Sequence, residues 1–99
     1  MDEQLTPAAF MPHLNKVFRV EGGHHELTLS KVDVRRLEVE EAKFVPRQPF
    51  TLIFSSPPRD LLREGLYTLA AEDGSRFELY VIPVLTPVAT RQDYQVAIN

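Results

Sequence analysis

The feature that most constrains the fold is a series of short segments in which apolar and polar residues alternate. Each segment is rich in β-branched and aromatic residues and is bounded by Gly, Pro, Asp or Ser, which predicts strands with one buried face. Almost no room is left for crossover helices, so the strands should pair antiparallel, in an all-β sandwich or a small, partly open barrel. The predicted strands are residues 16–21, 26–37, 49–56, 65–72, 75–82 and 93–98.

One short helix is predicted ahead of these strands. Thr6 is a good N-cap, and Pro7 stands at the first helical position, where its missing N–H costs nothing. Pro12 and the strand-like residues after it limit the helix to about residues 7–14. The helix carries Phe10 on its apolar side, and we expect it to cover the core as a lid.

The second strand contains a break in its alternation. Leu27 and Leu29 share one face, whereas Val32 and Val34 fall on the opposite phase. Because side chains alternate strictly along a strand, this slip requires an extra residue. We predict a bulge or bend within residues 29–32.

The pair Asp73-Gly74 is the strongest hairpin signal in the chain. A two-residue loop would split the flanking apolar residues between the two faces of the sheet. A three-residue loop from Glu72 to Gly74 keeps them on one face. We therefore predict the longer loop, with Gly74 in a left-handed conformation.

Composition indicates a single domain over residues 1–99 with an ordinary globular balance of 43% apolar and 25% charged residues. The net charge is -3, and the basic residues are interrupted by acidic ones, which argues against nucleic acid as a partner. The absence of cysteine excludes disulfides, thiolate metal sites and cysteine nucleophiles. No cofactor is expected, because no glycine-rich loop leads into a helix.

The distribution of apolar residues argues against a membrane protein. No apolar run approaches the roughly 20 residues that a membrane helix needs. The acidic start Met1-Asp2-Glu3-Gln4 lacks the basic region of a secretory signal. We therefore expect a cytoplasmic protein.

The segment EGGHHE, residues 21–26, holds two of the three histidines beside two carboxylates. Adjacent histidines in an extended segment point to opposite faces of a sheet, so His24 and His25 should not share a metal unless the loop curls. The ordinary interpretation is a hairpin tip with Gly22 or Gly23 at positive φ. A zinc or nickel site at the two histidines is the alternative.

Catalytic motifs are absent from the sequence. No serine lies in a G-x-S-x-G elbow, so nucleophilic catalysis would have to pair His13 with Ser55 or Ser56. The acidic loop supplies carboxylates without an evident cleft; its members are Glu38, Glu40 and Glu41. We expect a protein that is not an enzyme, and a hydrolase using His13 or the acidic loop is kept as a second alternative.

Two long connections, residues 38–48 and 57–64, are the places where function is expected on a β scaffold. Ile53 is an apolar residue on the second face of the third strand, which suggests a cover by the helix or by a partner. The serines that follow Ile53 and the arginines of the two long loops complete a candidate ligand or partner surface. Its residues are Ile53, Ser55, Ser56, Arg59 and Arg47.

A set of phrases along the chain resembles a family of small, single-domain bacterial proteins of unknown function. The phrases are PHLNKVF at 12–18, RQPFTLIF at 47–54, EGLYTL at 64–69, FELYVIPV at 77–84 and YQVAIN at 94–99. The resemblance covers almost the whole chain, carries no catalytic motif and links some members with phage-tail-like proteins. It implies a turn at Asn15, where relatives tend to have glycine, and it does not include the histidine pair.

Together these observations predict a non-catalytic structural or protein-interaction module. A homodimer is expected through sheet edges beside Pro83 and the last strand, since proline cannot donate to a ladder and should stop the fifth strand or sit at an edge. The first alternative is a small-ligand-binding barrel. Its pocket would be lined by aromatic residues, namely Phe50, Phe54, Tyr67 and Phe77.

Overall fold

The computed structural model of the chain describes residues 5–35, 38, 40, 48–86 and 88–98. In this part of the chain, a helix α1 (Pro7–Phe10) continues as a 3-10 turn (Met11–His13), and six strands follow. Thr6 caps α1 by accepting the N–H of Ala9 on its hydroxyl, as predicted. The strands are β1 (Val17–Val20), β2 (Glu26–Val34), β3 (Phe50–Ser56), β4 (Gly65–Ala70), β5 (Arg76–Val84) and β6 (Gln92–Ile98).

The strands form a closed antiparallel barrel in the order β1-β2-β3-β6-β5-β4. The all-β prediction of antiparallel strands with one short helix is confirmed. Of the two predicted architectures the chain adopts the barrel, and this barrel is closed where a partly open one was expected. Closure comes from β1 and β4, which pair at Arg19 with Ala70 and at Val20 with Leu69.

The fifth strand does not stop at Pro83, because β5 continues to Val84; of the two predicted alternatives, Pro83 takes the position at an edge. Pro83 pairs with Tyr94 of β6, while β4 begins at Gly65, opposite Val81. Proline therefore has a neighbouring strand on one side only, a position that a sheet tolerates. The last strand, β6, is paired on both of its sides, with β3 and with β5, and dimerisation through the edge beside Pro83 stays a prediction.

Both register predictions are confirmed. In β2 the pairing with β3 shifts between Leu29 and Lys31, which makes Ser30 the extra residue of a bulge. Between β4 and β5, Leu69 lies opposite Phe77. The three-residue loop closes where the Ala71 N–H donates to the Ser75 carbonyl, and Gly74 has φ +93°.

The barrel interior is filled by inward-facing side chains and closed at both ends. At one end, called the helix end, Phe10 is fully buried, with its ring centroid 4.4 Å from that of Phe77. At the other end, called the cleft end, the buried Leu62 donates its N–H to the Tyr94 hydroxyl at 3.0 Å. The other buried apolar residues are Phe18, Val20, Leu27, Leu29, Phe50, Leu52, Phe54, Leu69, Ala71, Leu79, Val81, Val96 and Ile98.

Three of the four aromatic residues proposed to line a ligand pocket belong to this core. Phe50, Phe54 and Phe77 are buried, and their rings pack against Phe10 or Phe18. A groove of about 670 Å³ runs along the outside of β1 instead. Its lining residues are Val17, Arg19, Glu26, Ala70, Ala71 and Glu72.

Candidate functional site

The tip of the first hairpin brings two imidazole rings together at the cleft end. The chain turns at Gly22, whose φ of +81° confirms the predicted left-handed glycine. His24 lies in a bend and His25 just before β2, so neither residue lies in a strand. Their rings stack with centroids 4.4 Å apart and an interplanar angle of 26°. The prediction that the two side chains point to opposite faces is wrong, because strand alternation applies only to extended backbone.

The loop between β3 and β4 contributes a carboxylate to the same place. Asp60 has φ +65°, a left-handed conformation that aspartate tolerates better than most residues. Two tyrosines fix the far side of this loop to the barrel. Leu62 is bonded to Tyr94, and the Tyr67 hydroxyl donates to the carbonyl of Arg63 at 2.7 Å.

Asp60 contacts both histidines. Its carboxylate is hydrogen-bonded to Nε2 of His24, and its main-chain carbonyl lies 2.9 Å from Nε2 of His25. The carboxylate also lies 3.7 Å from the same nitrogen of His25. One atom from each of the three side chains can be chosen so that all lie within 4.8 Å of one another. We call these three residues the His-His-Asp cluster.

The electrostatics of the cluster favour the charged form of the carboxylate. The hydrogen bond with His24, followed by the charges of the two imidazoles, lowers the pKa of Asp60 below its ordinary 3.8 despite the opposing effect of desolvation. The His24 and Asp60 side chains are 73% and 58% exposed, whereas His25 is 19% exposed. His25 therefore anchors the cluster, and the other two groups face solvent.

The cluster opens into a cleft of about 260 Å³. The cleft also contains Ser56 and Arg59, two residues of the predicted partner surface. The remaining lining residues are Glu26 and Pro57. The structure thus joins the histidine motif to one part of that surface, a connection that sequence reasoning did not make.

The other predicted surface residues lie elsewhere. Ile53 is half-buried on the outside of the barrel. The helix that was offered as its cover inserts Phe10 against Phe50 and Phe77 at the helix end. Ser55 also faces outward, where its hydroxyl contacts Asp93 at 2.9 Å and Ser30 at 3.4 Å. Arg47 falls outside the described residues.

Ile53 is part of an apolar surface on the outside of four strands. On β4 and β5, Leu66 pairs with Tyr80, and these side chains are 60% and 48% exposed. Two residues further along β5, Ile82 pairs with Gln95 of β6, and Gln95 in turn pairs with Ile53. Because these residues share the outer face, they form a continuous surface, here called the outer belt.

A comparison with protein families identifies the chain. The model of a domain of unknown function, DUF6916, matches residues 5–98. The chain belongs to the DUF6916 family. The predicted resemblance to an uncharacterised single-domain family of this size is confirmed. Comparison with curated proteins and with solved structures gives no match. Among the described residues of this DUF6916 domain, no helix has the length and apolar character to cross a membrane.

The serine-histidine pair considered for catalysis is not brought together in this DUF6916 domain. His13 is buried at the helix end against the edges of Phe18 and Phe77, with its Nε2 3.8 Å from Asp73. Ser56 lies at the cleft end, and its hydroxyl donates to the Pro57 carbonyl. Of the acidic loop, Glu41 falls outside the described residues, and the structure describes only Glu38 and Glu40.

Sequence reasoning missed Asp60. The signal that could have found it is the order Pro57-Pro58-Arg59-Asp60, because prolines that end a strand followed by aspartate predict a turn with an exposed carboxylate. The sequence does not show that this turn meets the hairpin tip, which is 36 residues away from it at His24.

Proposed function

We propose that the chain is a cytoplasmic, non-catalytic module that binds another protein through the outer belt. The observation that carries this proposal is a run of outward-facing side chains across neighbouring strands. It leads from the exposed Leu66 and Tyr80 to the half-buried Ile82 and then, across Gln95, to the half-buried Ile53. Contiguous exposed apolar surface with a polar rim is typical of a protein-interaction site. Tyrosine is moreover one of the residues enriched at such sites.

The chemical groups of the described residues support a role without catalysis. His13 is enclosed by aromatic rings. The hydroxyls of Ser55 and Ser56 are engaged with Asp93 and with a main-chain carbonyl, respectively, and neither is bonded to an imidazole. A serine nucleophile is typically activated by an imidazole in hydrogen-bond contact, and neither serine has one in this arrangement; Ser55 donates instead to the Asp93 carboxylate.

The resemblance noted above suggests a class of partner. It implies a link of some members with phage-tail-like proteins, so a subunit of such a particle is the first partner to test, and a second copy of this chain is the next. Both would cover the outer belt with an apolar face of their own.

The experiment is quantitative affinity capture from the native cell with three versions of the chain. The wild type should recover one partner in stoichiometric amount. Leu66→Thr removes exposed apolar surface from the outer belt and should reduce that recovery at least about tenfold, because Leu66 is the most exposed residue of the belt. Val17→Thr is the matched control, since Val17 is also an exposed apolar residue on the outside of a strand, β1.

Equal recovery with Leu66→Thr and with Val17→Thr would contradict the use of the outer belt. Turnover of esters, glycosides or phosphates by the purified chain would contradict the absence of catalysis, provided that a serine or carboxylate substitution abolished it without unfolding the protein. Recovery of a small molecule in place of a protein would favour the ligand-binding alternative.

A further inference from the structure

We propose that the His-His-Asp cluster binds a divalent transition-metal ion, with zinc as the best fit. The inference concerns the cleft end of the barrel and does not depend on the outer belt or on a protein partner. It rests on the positions of His24, His25 and Asp60, on their chemistry, and on the elements that hold them in place.

The positions of the three ligand atoms suit one ion. Imidazole nitrogens and carboxylate oxygens bind zinc at about 2.0–2.1 Å, so two ligands of a tetrahedral ion lie about 3.3 Å apart. The three atoms of the cluster already lie within 4.8 Å of one another. We expect rotations of the exposed His24 and Asp60 side chains to bring the three atoms round a common centre.

The ligand types select the class of metal. Two neutral imidazoles and one carboxylate form a set typical of zinc and of other late first-row divalent ions. Calcium and magnesium prefer sites made of oxygen ligands, and this cluster offers only one side-chain carboxylate. That carboxylate offsets part of the charge of a divalent ion. Glu26 and Arg59 also line the cleft, and the Glu26 carboxylate lies 3.7 Å from the Arg19 guanidinium.

The two halves of the cluster are held in place by the fold. The hairpin turn at Gly22 lets the two rings stack on one side of the tip. The loop that carries Asp60 is tied to the barrel through the buried bond between Leu62 and Tyr94. Such preorganisation reduces the ordering that binding would otherwise require.

Three protein ligands leave one position of a tetrahedral ion open. The cleft extends from the cluster to Ser56 and Arg59, so this position faces a solvent-accessible space. A structural zinc site is closed by a fourth protein ligand, whereas an open site takes water or an external group. The cluster therefore predicts an ion that carries an exchangeable fourth ligand.

The ordinary alternative is that the three side chains only hydrogen-bond with one another. Titration of the full chain with Zn²⁺ by calorimetry separates the two accounts, and the protein must carry no polyhistidine tag. We expect one zinc ion per chain. His24→Gln and Asp60→Asn should each weaken binding at least about tenfold, because each removes a direct ligand.

Asp73→Asn is the matched control. Asp73 is an exposed carboxylate that also lies beside a histidine, His13, but it belongs to a pair rather than to a cluster of three. This variant should bind zinc as the wild type does. Circular dichroism of all variants checks that the fold is retained, which is expected because His24 and Asp60 are exposed.

Cobalt gives an independent readout of the same site. Co²⁺ added to the wild type should give the visible absorption of a tetrahedral ion, and added Zn²⁺ should remove it. Zinc binding that is unchanged in both His24→Gln and Asp60→Asn would overturn the proposal, as would the absence of stoichiometric binding to the wild type. Binding of Ca²⁺ or Mg²⁺ with an affinity equal to or higher than that for Zn²⁺ would also overturn it.

Discussion

Replacing Tyr94 with phenylalanine removes one hydroxyl from the barrel interior and leaves the ring in place. That hydroxyl accepts the N–H of Leu62 at 3.0 Å, and both residues are buried. The variant leaves a buried donor without its acceptor, which costs about 1–3 kcal/mol in the free energy of unfolding. In a domain of this size each kcal/mol lowers the Tm by about 4–8 °C.

The same substitution should act on the His-His-Asp cluster. Leu62 belongs to the loop that carries Asp60, and the lost bond releases one of the two tyrosine contacts that hold this loop. Tyr94→Phe should therefore weaken zinc binding although Tyr94 is not a ligand. Urea unfolding followed by circular dichroism gives the stability change, and zinc calorimetry on the same samples gives the affinity.

Tyr67→Phe is the control for this experiment. Its hydroxyl donates to the carbonyl of Arg63 in the same loop, but that bond is exposed, so water replaces the hydroxyl and the cost should stay below about 1 kcal/mol. If Tyr94→Phe were no less stable than Tyr67→Phe, the reasoning that the buried bond fixes the loop would be refuted.

Three further predictions concern the barrel. Phe10→Ala should lower the free energy of unfolding, measured by urea titration, by about 3–5 kcal/mol, because the fully buried ring closes the helix end. A loss below about 1 kcal/mol would mean that the helix is not part of the core. The hydrogen bond to the Glu64 carboxylate raises the pKa of Tyr80 above its ordinary 10.0, so the stability from this bond is present below that pH and lost as the pH rises through the raised value. Glu64→Gln should lower the pKa of Tyr80, measured by NMR titration, and an unchanged pKa would contradict the assignment of its cause. Gly74→Ala should lower the free energy of unfolding by about 1–2 kcal/mol, because Gly74 has φ +93°. Gly23 has neither a positive φ nor a close neighbour, so Gly23→Ala should change that free energy by less than about 0.5 kcal/mol. Equal effects of the two substitutions would argue against the left-handed loop.

Local register could be predicted from the sequence because the alternation of side chains in a strand is a strict rule. The phase slip after Leu29 predicted a bulge within residues 29–32, where the structure has it at Ser30, and the apolar sets on either side of Asp73-Gly74 selected the three-residue loop. Each feature depends on residues close in sequence, and each misplaced apolar pair would lose the free energy of burying its apolar surface. Such arguments need no knowledge of distant neighbours.

Barrel closure and the His-His-Asp cluster depend on contacts between distant segments, and the sequence does not show these contacts. Alternation cannot reveal that β1 meets β4, nor that β6 lies beside Pro83. The rule that separates neighbouring histidines was correct for a strand but was applied to a curled turn. Ser56 and Arg59 could be proposed as surface residues, yet their place beside His24 follows only from the three-dimensional fold.

The most direct test of the proposed function is site-specific photocrosslinking in the native cell. A photoreactive residue placed at Leu66 lies on the outer belt, where Leu66 pairs with Tyr80, and one placed at Val17 lies outside the outer belt. We predict that Leu66 yields a covalent adduct with one protein and that Val17 does not. No adduct from Leu66, or the same adducts from both positions, would contradict binding through the outer belt.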